Sequence, residues 1–173
     1  MSEYGTDFVL WSREQADLLR RMAAGERVNH RIDWENVAEE IESLGRSDWR
    51  ELRTRVQLVL RHLIKLQASP AVAPRNGWKR TVIEQRNPIN ALLQDSPSLA
   101  RRLPEAISTE LPPARELAQL DLADFNEPAF APVENLNFTD PQVLGPWLPD
   151  WQPPGPTPTA NRYPPARPAP WWS

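Results

Sequence analysis

The stretch 33–45, Asp-Trp-Glu-Asn-Val-Ala-Glu-Glu-Ile-Glu-Ser-Leu-Gly, constrains this chain more than any other, because it carries every signal of a helix. Asp33 offers a carboxylate to the free N–H groups of a first turn, as an N-cap does. Ile32 and Val37 stand at the spacing of a hydrophobic staple. Trp34, Val37, Ile41 and Leu44 recur at helical intervals and make one apolar stripe. Gly45 follows at once and reads as a left-handed residue that ends the helix. Glu35 sits in the first turn, where the helix dipole favours negative charge.

A second face of the same helix carries Glu35, Glu39 and Glu42, with Glu40 flanking the stripe. Such a face has two readings. It is a carboxylate cluster able to hold a cation or share a proton, or it is a solvated charge run paired with the arginines that follow it. Most charge runs carry no chemistry.

The remaining periodicities predict an all-α chain. A first helix is expected over 7–24, started by Asp7 or one turn later by a Ser12/Gln15 capping box, with Gly25 as its stop. The longest helix is expected over 47–67, where Trp49, Leu52, Val56, Val59, Leu60, Leu63 and Leu66 form an unbroken seam. Only Gly45 and Arg46 separate it from the acidic helix, so the two are predicted to fold back as an αα-hairpin at the centre of the fold. A fourth helix is expected over 77–94, kinked at Pro88. Ser96-Pro97 opens a fifth, which Pro112-Pro113 should interrupt. Phe130 and Phe138 are candidate anchors, and Thr139-Asp140-Pro141 caps a last short turn. The result is a bundle of about four to five helices over 1–150.

Twenty prolines against six glycines is unusual, and eleven of the prolines fall in 141–173. Residues 151–173 therefore form a separate tail. From Pro153 onward it has no acidic residue and two basic ones, Arg162 and Arg167, and it closes on Trp171-Trp172. A proline-rich segment favours an extended conformation and builds no core of its own. It reads as a docking arm with Trp151, Arg162, Arg167, Trp171 and Trp172 as binding residues, or as an appendage that covers its own domain.

The net charge of −3 gives no electrostatic case for nucleic acid. There are no cysteines, hence no disulfide and no thiolate metal site. No signal peptide and no membrane span is predicted, so a cytoplasmic location is expected. No nucleophile elbow, phosphate loop or dinucleotide fingerprint is present.

Four motifs in order resemble the bacterial family known as domain of unknown function 29. They are Glu-Glu-Ile-Glu-Ser-Leu-Gly at 39–45, His62-Leu63-Ile64-Lys65, Trp78 with Gln85-Arg86 downstream, and Ser96-Pro97-Ser98-Leu99. Asp7-Phe8 with Trp11 and Gln15 is similar to the family's opening. The resemblance implies an all-helical fold and no assigned activity. In the family the region around 112 is one unbroken helix with an aromatic; Pro112-Pro113 departs from that pattern.

Two functions follow. The first is a helical protein–protein interaction or accessory module with a protein partner and no cofactor. The second is a hydrolytic or metal-dependent centre in which Glu39, Glu42 and His62 hold a divalent metal that activates water. If the carboxylates are instead structural, Glu39 and Glu42 are expected to form a polar network with His62, Lys65 and Arg86, since a buried charge needs a partner.

Overall fold

A computed structural model of the chain describes residues 3–124, 129 and 131–150; the candidate binding residues Trp151, Arg162, Arg167, Trp171 and Trp172 and the candidate anchor Phe130 lie outside the described residues. Every regular element among the described residues is helical. The helices are α1 (Phe8–Ala23), α2 (Trp34–Ala68), α3 (Arg75–Asp95), α4 (Pro97–Ala100), α5 (Leu103–Asp124) and α6 (Asp140–Leu144). None of them is long and apolar enough to cross a membrane. The chain divides into two compact units, Met1–Thr54 and Arg55–Ser173.

In the first unit, Asp7 caps α1 by accepting from the Leu10 backbone N–H at 2.9 Å. The Ser12 hydroxyl donates to the Val9 carbonyl instead, so the later start does not form. Gly25 has φ +93° and stops the helix, a conformation that L side chains rarely adopt. Trp11, Leu18, Val28, Ile32 and Val37 make a small core, on which Tyr4, Leu19 and Met22 pack.

The hairpin expected around Gly45 is absent. Helix α2 runs without a break from Trp34 to Ala68. Among the described glycines only Gly25 has positive φ, so Gly45 lacks the left-handed conformation that would end a helix. A glycine inside a helix costs about 1 kcal/mol. Ending here would cost more, since two helices need two nuclei and two further sets of capped ends. A Cβ added at Gly45 meets nothing within 4 Å. Gly45→Ala is therefore expected to raise stability by about 0.5–1 kcal/mol in urea denaturation. A destabilised variant would instead mark a left-handed residue.

In the second unit, Val56, Val59, Leu60, Leu63, Ile64 and Leu66 of α2 are fully or almost fully buried, as the seam predicts. They share the core with Val82 and Ile89 of α3 and Ala106, Ala114 and Ala118 of α5. Helix α5 passes through Pro112 and Pro113, where an interruption was expected. Two prolines remove the donors that would reach the carbonyls of residues 108 and 109. Ser108, Thr109 and Pro112 are exposed, so water reaches those carbonyls and the helix continues. At the end of the fold Thr139 and Gln142 form a capping box over α6, with Val143 fully buried.

Candidate functional site

The acidic stripe is not where a hairpin would have put it. Glu39 and Glu42 are exposed, and Glu42 faces Arg46 of its own helix at 3.3 Å. Without the fold-back, nothing in α2 brings these carboxylates beside His62, which stands later on the same unbroken helix. Among the described residues no group of three or more histidine, aspartate or glutamate side chains is placed to hold a metal ion.

The polar network sorts differently from the expected one. Lys65 does not meet Glu39 or Glu42; its Nζ donates to Asp121 Oδ2 at 2.8 Å and lies 4.8 Å from the centre of the Trp78 ring. Arg61 forks onto both oxygens of the same carboxylate, with Nε at 2.9 Å from Oδ2 and Nη2 on Oδ1. Burial pushes the Asp121 carboxyl up, but the hydrogen bonds and charges of Arg61 and Lys65 outweigh it and hold the group below the usual carboxylate range. Arg86 is buried, and its partners are backbone carbonyls: Val143 at 2.9 Å, and Gln142 and Trp147 at 2.7 Å each. The neighbouring Gln85 accepts from Arg55 at 3.0 Å. The Gln-Arg pair thus fastens α3 to the closing segment and to α2.

His62 Nδ1 lies 2.9 Å from the Leu58 carbonyl one turn earlier. Burial pushes the imidazole below its ordinary value, and Lys65 and Arg61 push the same way, against the Leu58 hydrogen bond and the Asp121 charge. The unfolded chain therefore takes up this proton first as the pH falls. The stabilising effect of the neutral ring is complete above about pH 6.5 and is lost as the pH drops toward the lower folded value. Guanidinium denaturation at pH 7.5 and 5.5 should show a smaller loss of stability for His62→Gln than for the native sequence. Equal losses would contradict the assignment.

The sequence does not reveal an apolar surface groove. Helix α1 and the first turns of α2 flank an open groove of about 360 Å³ within the first unit, lined by Phe8, Trp11, Ala16, Leu19, Val37, Ile41 and Leu44. Its polar lining residues are Ser12, Gln15 and Glu40. Gln15 is committed: its Oε1 accepts from the Asp33 backbone N–H at 2.9 Å and fixes the start of α2 against α1. Glu40 accepts from the Tyr4 hydroxyl, which raises the phenol to about 12 through that hydrogen bond. Tyr4, Phe8 and Trp11 cluster at this end, with ring centres 4.7 Å apart for Tyr4 and Trp11 and 5.7 Å for Phe8 and Trp11. Phe8 remains 49% exposed, Ile41 65% and Leu44 68%. The stripe read as a packing face in the sequence is, apart from Val37, largely open. Its spacing marked an apolar face; nothing in the spacing marked what covers it.

The architecture and these two clusters define a small all-α protein with an aromatic-walled apolar groove and a buried polar lock. The chain belongs to the family described as domain of unknown function DUF29, whose profile matches residues 3–145. No curated protein and no solved structure matches it significantly.

Proposed function

We propose that the chain is a cytoplasmic protein–protein interaction module that docks through the groove between α1 and α2, with residues 151–173 as its arm. The groove carries this reading. Isolated exposed apolar residues are ordinary, but Phe8, Ile41 and Leu44 line one continuous recess beside an aromatic cluster. Aromatic and aliphatic anchors in a recess are what interface hot spots are made of. The net charge of −3 supports a protein partner over nucleic acid, and the lack of cysteine fits a reducing compartment. The carboxylates of α2 do not support a hydrolytic centre, because Glu42 is engaged with Arg46 and both Glu39 and Glu42 face solvent.

The test is capture from the native host with the full chain and with its Ile41→Glu/Leu44→Glu variant. Both side chains are exposed, so the melt should shift by less than about 0.5 kcal/mol equivalent. A partner held by the native groove and lost by the variant supports the module. The same partners on both chains would overturn it.

A further inference from the structure

We infer that the groove is closed by the groove of a second copy of this chain, so that α1 and the first turns of α2 from two copies make one four-helix bundle. The inference rests on reading the groove as a docking surface and names what docks there.

A two-fold interface meets itself, so one surface must supply both what projects and what receives. This one does. Phe8, Ile41 and Leu44 project from it, 49%, 65% and 68% exposed. Ser12 and Ala16 on α1 are small and leave low places beside Phe8, and Ala38 does the same one turn before Ile41. Two helices make one layer, and an apolar face on a layer is stably buried against another. Two such layers face to face are a four-helix bundle. Its core is the recess of about 360 Å³ on each copy, filled by the large side chains of the other.

The area suffices for a weak dimer. Helix α1 has 16 residues and is about 24 Å long. Side by side with the matching turns of α2, at about 10 Å per helix, it offers a face of about 480 Å² in projection. The accessible area of a ridged face exceeds its projection, and specific interfaces begin at roughly 600 Å² from each partner. A dissociation constant in the micromolar range is expected.

Charge fixes the pairing. Beyond the apolar residues, the outer edge of α1 carries Arg13 and Arg20, both exposed. Asp17 stands further round α1 and faces Arg21 at 3.8 Å. The outer edge of α2 carries Glu35, Glu39 and Glu42, also exposed, with Arg46 set against Glu42. Gln15 holds the start of α2 while Phe8 and Leu44 line the same groove, so the two helices run antiparallel. A two-fold axis along the helices keeps every height and lays α1 of one copy on α2 of the other. The arginine edge then meets the glutamate edge twice. An axis across the helices would set like edges together and oppose like charge.

Sedimentation of the full chain over a dilution series tests this. A mass of two chains is expected at about 100 μM, falling to one chain below the micromolar range. Ile41→Glu should raise the dissociation constant at least about tenfold, as loss of a hot-spot contact does. In dilute solution, where the native chain is itself a monomer, the variant should melt as the native chain does. Arg13→Glu/Arg20→Glu should dissociate in the same way, and so should Glu35→Arg/Glu39→Arg, because each sets like charge against like at both edges. Mixed in equal amounts, these two charge variants should pair again about as tightly as the native chain. A native chain that stays monomeric at about 100 μM, a dimer indifferent to Ile41→Glu, or charge variants that do not pair when mixed would each overturn the inference. A monomer that still loses a captured partner through Ile41→Glu/Leu44→Glu would overturn this inference alone and leave the module reading standing.

Discussion

Asp121→Asn is expected to lower folding stability by about 3 kcal/mol, near the lower end of what breaking a buried ion pair costs. The substitution keeps the shape and removes the one charge on which Arg61 and Lys65 both converge. Arg61 is partly exposed and recovers some hydration, with 30% of its side chain accessible. Lys65 does not, since its side chain is only 10% accessible. The ammonium would be left with the Trp78 ring face as its chief favourable contact, and that is worth about 2 kcal/mol when desolvated. Removing the stranded charge should therefore rescue the loss. Lys65→Met added to Asp121→Asn should be more stable than Asp121→Asn alone, with a coupling of about 1–3 kcal/mol. Urea denaturation of the four chains measures it. Additive losses would show that Lys65 and Asp121 do not depend on each other. The same pair sets an acid limit. The folded Asp121 carboxyl lies below its unfolded value, so its contribution is complete above about pH 4 and disappears as the pH falls through the folded value.

Arg86→Met should be as damaging, with an expected loss of about 3–4 kcal/mol. The guanidinium satisfies the carbonyls of Gln142, Val143 and Trp147. Hydrogen bonds to charged groups are worth about 1.5–3 kcal/mol, and a buried carbonyl left unpaired costs about 1–3 kcal/mol. Methionine preserves the apolar stem, so the loss reads the head group. The damage should begin locally. Val143 is fully buried, and Phe138 and Trp147 have ring centres 6.5 Å apart, so α6 should loosen before the rest. Faster amide exchange over 140–147 than over α3 would show this in Arg86→Met. Uniform exchange in both segments would contradict the role of Arg86 as a clamp. Arg86→Lys keeps the charge without the fork and should recover less than half of the loss.

The elements that were legible in the sequence are those whose signals are local. Asp7 caps its own helix, Gly25 takes the φ that only glycine takes easily, and the seam from Leu52 to Leu66 is buried at its 3.6-residue period. Gly45 was misread because a glycine after an apolar stripe is a stop only when the backbone turns left-handed there, and composition does not carry φ. Pro112-Pro113 was misread for the opposite reason. The cost of the missing donors depends on whether the orphaned carbonyls reach water, which is a property of the packed helix. The candidate site followed the same division. Arg86 was expected to be buried near an apolar face, and it is. Carboxylates are the partners a sequence suggests for it, because they are visible there. The carbonyls of residues 142, 143 and 147 are not, since every residue has one. Asp121 was overlooked, although Arg61 and Lys65, four residues apart on one helix, form a cationic pair that calls for an acid between them. The groove was hidden by its own signal, for an exposed stripe and a buried one have the same period.

The continuity of α2 through Gly45 decides between the two accounts of function. An unbroken helix leaves Ile41 and Leu44 exposed and keeps Glu42 with Arg46. A hairpin would cover the stripe and carry Glu39 and Glu42 back toward His62. Carbon-13 secondary chemical shifts of Leu44, Gly45, Arg46, Ser47 and Asp48 in the full chain separate them. Helical values at all five positions are expected here. A left-handed Gly45 followed by a non-helical Arg46 would contradict the account and return the acidic helix to the chemistry.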